Sequence, residues 1–102
     1  MGKFAEVGKT TDISPDSPTC VEVEGTEIAL FLHDGEYYAI DNTCTHQGGP
    51  LCEGVLEDGE VECPWHGARF DITSGDVIAP PAGQPVSHYN VRVSGDTLEV
   101  EL

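Results

Sequence analysis

The sequence predicts an all-β domain built from antiparallel sheets. Turn signals recur at short intervals along its 102 residues, and the pieces between them are strand-like. No segment shows a convincing helical period. A chain of this length is one domain and buries roughly two-thirds of its unfolded surface, enough to fold alone.

The elements follow in order. A brief strand is expected at Phe4 to Val7. Thr19 to Glu24 alternates, with Thr19, Val21 and Val23 on one face and Cys20, Glu22 and Glu24 on the other. Gly25 turns the chain into Ile28 to Leu32, whose unbroken apolar run predicts burial on both faces. Asp34-Gly35 reads as a hairpin turn leading into Tyr37 to Ile40. Asp58-Gly59, Ser74-Gly75 and Ser94-Gly95-Asp96 mark three further hairpins. The last strand places Leu98, Val100 and Leu102 inward and Glu99 and Glu101 outward. Ala79 to Pro85, A-P-P-A-G-Q-P, cannot be a central strand because its prolines lack ladder donors. A short turn of helix is compatible with the residues after Leu51, where the stretch C-T-H-Q-G-G-P-L at 44 to 51 ends.

The chemistry concentrates between Cys44 and Phe70. The chain reads C-T-H-Q-G-G-P-L at 44 to 51 and C-P-W-H-G-A-R-F at 63 to 70. Each box offers one cysteine and one histidine: Cys44 with His46, and Cys63 with His66. Gly48, Gly49, Pro50, Pro64 and Gly67 favour loops over strands. Two facing loops would present two thiolates and two imidazoles. A tetrahedral zinc could take all four. A two-iron, two-sulfide cluster could instead take both cysteines on one iron and both histidines on the other. Zinc fingers pair one ligand type per hairpin or helix, whereas each loop here mixes the types. That mixing suits a rhombic cluster reached from opposite sides. The bland alternative is four residues that merely pack or pair as disulfides.

The two boxes, with their separation, resemble those of the Rieske iron–sulfur family. D-G-E-Y-Y-A before the first box and the P-P-A stretch after the second also look like that family. The resemblance implies a Rieske domain with residues 1–40 and 86–102 as its base and 41–85 as an inserted cluster-binding lobe. It implies one Rieske-type 2Fe-2S cluster, with Cys44, His46, Cys63 and His66 as ligands. Neutral imidazoles in place of thiolates make the cluster easier to reduce, and the electron is expected on the iron of His46 and His66. Backbone amides of the glycine-rich loops would tune it by donating to the sulfides. Pro81 would belong to a proline loop closing over the cluster. High-potential relatives carry an extra cysteine in each box, joined as a disulfide, where this chain has Gly49 and Trp65. They also place Ser and Tyr where it has Ala68 and Phe70.

Other residues have plainer expectations. Cys20 and Cys52 lie outside the boxes and read as free thiols, since no secretory context supports a disulfide framework. Trp65 shields the cluster, meets a partner or simply packs. Arg69 is expected to pair with a nearby acid. His33 and His88 read as ordinary surface or satisfied histidines.

Nineteen acidic residues against four basic ones give a net charge of −15. Nucleic acid and anionic membranes are therefore poor partners. The charge serves solubility, or steers the chain toward a basic docking site. No run approaches the ~18 apolar residues of a membrane helix. The start, M-G-K-F-A-E, has neither a signal core nor a myristoylation motif, which predicts a cytoplasmic protein. A monomer is the default expectation.

Terminal oxygenases of the family also need a mononuclear iron with a two-histidine, one-carboxylate triad. Only His33 and His88 are spare, so the chain is expected to be a carrier and not an enzyme. It looks most like the ferredoxin component of bacterial aromatic-ring-hydroxylating dioxygenase systems. That resemblance implies electrons received from an NADH-dependent flavin reductase and passed to a terminal Rieske oxygenase. The alternatives are the small subunit of an assimilatory nitrite reductase and, in another class, a zinc-stabilised interaction domain.

Overall fold

The structure is a computed structural model that describes residues 3–15, 18–43, 50–64, 67–79 and 84–101. Its strands are β1 (Phe4–Lys9), β2 (Thr19–Val23), β3 (Thr26–His33), β4 (Glu36–Asp41), β5 (Val55–Glu57), β6 (Glu60–Glu62), β7 (Arg69–Asp71), β8 (Val77–Ala79), β9 (His88–Tyr89), β10 (Val91–Ser94) and β11 (Thr97–Glu101). They form three antiparallel sheets, ordered β1-β11-β10, β2-β3-β4-β9 and β5-β6-β7-β8. Two 3-10 turns, Thr10–Asp12 and Leu51–Glu53, are the helical elements among the described residues. The second starts at Leu51, one residue earlier than the turn of helix expected after Leu51.

The apolar run of β3 explains the layering. Ile28 and Leu30 face a core with Val23, Ala39, Leu98 and Val100, shared with the β1-β11-β10 sheet. Ala29 and Phe31, on the opposite face, join Ile40, Val61, Phe70 and Ile72 in a second core under the β5–β8 sheet. The β2-β3-β4-β9 sheet is thus the middle of three layers. That is why β3 carries no polar alternation.

Turn chemistry sets the registers. Glu24-Gly25, Asp34-Gly35 and Asp58-Gly59 all have positive φ at both residues, as a two-residue hairpin turn requires. In β11, Leu98 and Val100 are fully buried while Glu99 and Glu101 are not, as their alternation predicts. Leu102 lies outside the described residues. Two glycines are fixed by close approach: a Cβ at Gly54 would lie 2.0 Å from the Glu62 carbonyl, and one at Gly75 would lie 2.1 Å from that of Val86.

One expectation is corrected. Cys20 and Cys52 are joined as a disulfide, with Cα atoms 5.2 Å apart and a sequence separation of 32. Cys20 points outward from edge strand β2, and the Leu51–Glu53 turn packs against that strand. Sequence alone could not show this contact, because it depends on how the turn folds back onto β2.

Candidate metal centre

Both boxes emerge from loops whose bases are tightly closed. The first follows β4. Thr43 and Pro50 form an antiparallel bridge, so the chain leaves and returns at one point. Asn42 holds that point. Its backbone carbonyl accepts the Leu51 N–H at 2.7 Å, and its side-chain Oδ1 accepts the Cys52 N–H at 2.8 Å. Its own N–H donates to the Glu27 carbonyl on β3. Asn42 is only 6% exposed, and among the described residues it is the one buried polar side chain. An Asn before the first box drew no attention in the sequence. Its polarity in a position between a strand and a ligand loop was the available signal.

The neighbouring Asp41 ties the same point to the chain beyond the proline loop. It accepts the Tyr89 hydroxyl at 2.5 Å and the Ser87 N–H at 3.3 Å, while its N–H donates to the Ser87 carbonyl. Burial, followed by this bond to Asp41, pushes the Tyr89 phenol up to about 12.

The second box lies in the β6–β7 connection. The Cys63 N–H donates to the Ala68 carbonyl at 2.7 Å, and the Gly67 N–H donates back to the Cys63 carbonyl at 3.1 Å. Gly67 takes φ +76°, a left-handed turn that places this return bond. Cys63 is 1% exposed and free, and shares the second core with Leu51, Cys52, Ala68 and Phe70. The end of one box loop and the start of the other thus meet in a single apolar cluster.

Of the four expected ligands, the structure describes Cys63; Cys44, His46 and His66 lie outside the described residues, as do Trp65 and Pro81. Among the described residues no group of three or more metal-binding side chains converges. His33 reaches Asp34 at 3.6 Å, and its ring lies against the Gly59 turn. His88 is exposed on β9.

Arg69, within the second box, makes more than a single ion pair. It reaches Glu60 at 3.0 Å, Glu62 at 3.3 Å and Glu57 at 3.5 Å. The hydrogen bond to Glu60, with smaller contributions from Glu57, raises its pKa against the opposing effect of desolvation. The outer face of this sheet is therefore an acidic surface knitted around one cation.

The Rieske [2Fe-2S] domain family matches residues 3–90. The chain belongs to that family. It carries one Rieske-type 2Fe-2S cluster, and the closed loop bases with a free, buried Cys63 fit that group. The ferredoxin component of a naphthalene 1,2-dioxygenase system from Pseudomonas putida is 37% identical over 98% of this chain and 96% of its own. The solved ferredoxin of carbazole 1,9a-dioxygenase from Nocardioides aromaticivorans superposes with a TM-score of 0.92. It is 34% identical, with 96% of each chain covered. A structure assigned as an NADH-dependent nitrite reductase small subunit from Mycobacterium tuberculosis has a TM-score of 0.90. It is 21% identical, over 100% of this chain and 96% of its own, so that likeness speaks for the fold alone. No helix among the described residues is long and apolar enough to cross a membrane.

Proposed function

We propose that this chain is a one-electron carrier of an aromatic-ring-hydroxylating dioxygenase system, with its cluster held by Cys44, His46, Cys63 and His66. It takes electrons from an NADH-dependent flavin reductase and passes them to a terminal Rieske oxygenase. The kinship with ferredoxin components of such systems supports this role. The structural observation that supports it is that the closed bases of the two box loops meet in one apolar cluster at Cys63.

The bound cluster supplies reversible uptake of one electron. The protein's own contribution is to hold the loops still and exclude water on the core side. Asn42 clamps the first loop, and the Cys63–Ala68 pair closes the second. Phe31, Phe70 and Ile72 share the core with Leu51, Cys52, Cys63 and Ala68, where the loop bases meet. Fixed ligands keep reorganisation small between the two charge states. On this reading residues 41–85 form the cluster-binding lobe, on a base of 1–40 and 86–102. The carrier acts as a cytoplasmic monomer.

The test is reconstitution of oxygenase turnover from NADH, with a purified reductase and a purified dioxygenase. Product should form at a rate that rises with this protein and falls to background without it. Turnover independent of the protein, with every compatible reductase and oxygenase pair, would overturn the reading.

A further inference from the structure

The Cys20–Cys52 disulfide lies where it can govern the first box. Cys52 belongs to the Leu51–Glu53 turn that immediately follows the Thr43–Pro50 bridge, and its N–H is the one Asn42 holds. Cys20 belongs to β2 in the middle sheet. The cross-link therefore fastens the exit of the ligand loop to that sheet, next to the core that contains Cys63. Cys52 is buried and Cys20 is exposed, so an incoming thiolate has access from one side only.

That side opens into a pocket of about 390 Å³, lined by Cys20, Asn42 and Pro50 together with Glu22, Glu27 and Glu53. Among the described residues, its lining holds three carboxylates and no cation. A negatively charged thiol such as glutathione would meet repulsion there, whereas a neutral or cationic dithiol would not.

We propose that Cys20–Cys52 is a reversible thiol–disulfide exchange site, served by an uncharged or cationic dithiol, and that its state sets how firmly the first box is anchored. The dithiol's first thiolate attacks Cys20 Sγ, breaking the protein disulfide and releasing Cys52 as a thiolate that takes a proton. Its second thiolate then attacks the mixed disulfide. That step releases Cys20, which is also protonated, and closes the reagent's own disulfide. Two electrons pass from the dithiol to the protein pair, and an oxidised reagent of the same class reverses both steps. With the link open, Cys52 is held by Asn42, by the turn's own backbone bonds and by its packing in the second core. A cross-link between residues 32 apart in sequence constrains the open ensemble strongly, so opening it loosens the turn from Pro50 to Gly54. This inference goes beyond the carrier role and stands without it.

The test uses the whole holoprotein under anaerobic conditions, treated with dithiothreitol or with glutathione at matched thiolate concentration. Peptide-resolved alkylation reads Cys20 and Cys52, and hydrogen exchange reads the Leu51 and Cys52 amides. Iron release to a chelator is a third readout. Dithiothreitol should expose both cysteines while the visible spectrum persists, and exchange and iron release should each accelerate about tenfold or more. Glutathione should act several-fold more slowly at low salt, with the difference narrowing at high salt. Cys20→Ser should show the fast rates with no response to thiol. If dithiothreitol opens the link only as the protein unfolds, or if opening leaves exchange and iron release unchanged, the proposal fails. Equal rates for the two thiols would overturn its charge selectivity. Alkylation and exchange need no reductase, oxygenase or electron flow, so failure here is distinguishable from failure of the carrier role.

Discussion

Replacing Asn42 by alanine should loosen the first box without touching a ligand. In the wild type, the Cys52 N–H is buried and donates to Asn42 Oδ1 at 2.8 Å. Asn42→Ala deletes the acceptor, and the Cys52 N–H, on a residue only 6% exposed, then depends on a water entering from the pocket that Asn42 lines. A buried donor left unpaired costs ~1–3 kcal/mol. That is a sizeable share of the ~5–15 kcal/mol that stabilises a domain. The Leu51 N–H bond to the Asn42 backbone carbonyl survives the change, so the loop should loosen and not detach. At ~4–8 °C per kcal/mol for a domain of this size, the thermal midpoint should drop by at least about 4 °C. The control is Asn90→Ala, whose exposed side chain donates to Glu101 at 2.8 Å. Its loss should cost well under ~1 kcal/mol, because water replaces the partner. Scanning calorimetry and hydrogen exchange at Cys52 follow both variants. The closed disulfide should mask part of the Asn42 effect, and reduction should reveal the rest. Midpoints within about a degree of wild type in both redox states, with Cys52 protection unchanged, would refute the clamp.

Three further outcomes are expected. Tyr89 has a folded pKa raised from 10.0 to about 12, so its neutral form is favoured by folding. Its contribution is complete below pH 10 and is lost as pH rises through about 12. The stability gap between wild type and Tyr89→Phe in urea titrations should therefore shrink over that window, and a constant gap would contradict the assignment. Ala68 and Phe70 are fully buried in the core that holds Cys63, and neither supplies a hydroxyl. The reduction potential should then lie near the low end of the Rieske range, around −150 mV. A hydrogen bond of ~1.5 kcal/mol corresponds to about one factor of ten, or ~59 mV for one electron. Ala68→Ser and Phe70→Tyr should each raise the potential by several tens of millivolts in protein-film voltammetry. A wild-type value near +300 mV, or no shift in either variant, would show that tuning lies elsewhere. Finally, if the −15 charge steers docking, association with the oxygenase should slow as salt rises and the Debye length shrinks to ~8 Å at ~0.15 M. A salt-independent rate would leave the acidity as a solubility feature.

Local patterns carried the strand reading well. β11 and β2 alternate because each has one solvated face, and the Asp-Gly pairs fix hairpins through their positive φ. The apolar run of β3 likewise signalled burial on both sides, and two cores flank it. What local pattern does not encode is contact across the chain. Asn42 gains its importance only once the Leu51–Glu53 turn folds back onto it, 10 residues further along at Cys52. Cys20 meets Cys52 only because that turn packs on edge strand β2. Arg69 was expected to find one acid. It finds three, because the β5-β6-β7 registers place Glu57, Glu60 and Glu62 on its face. The boxes themselves were legible because their chemistry lies in residue type and spacing.

The central claim is that the cluster is held by two cysteines and two histidines, one of each from each loop. The most direct measurement is iron and acid-labile sulfide content, with electron paramagnetic resonance of the reduced protein, for wild type beside His46→Ala and His66→Ala. The account predicts two irons and two sulfides per wild-type chain, with a signal typical of histidine-ligated clusters. Assembly should be lost or badly damaged in each variant. Full iron occupancy with an unchanged signal in both histidine variants would contradict it.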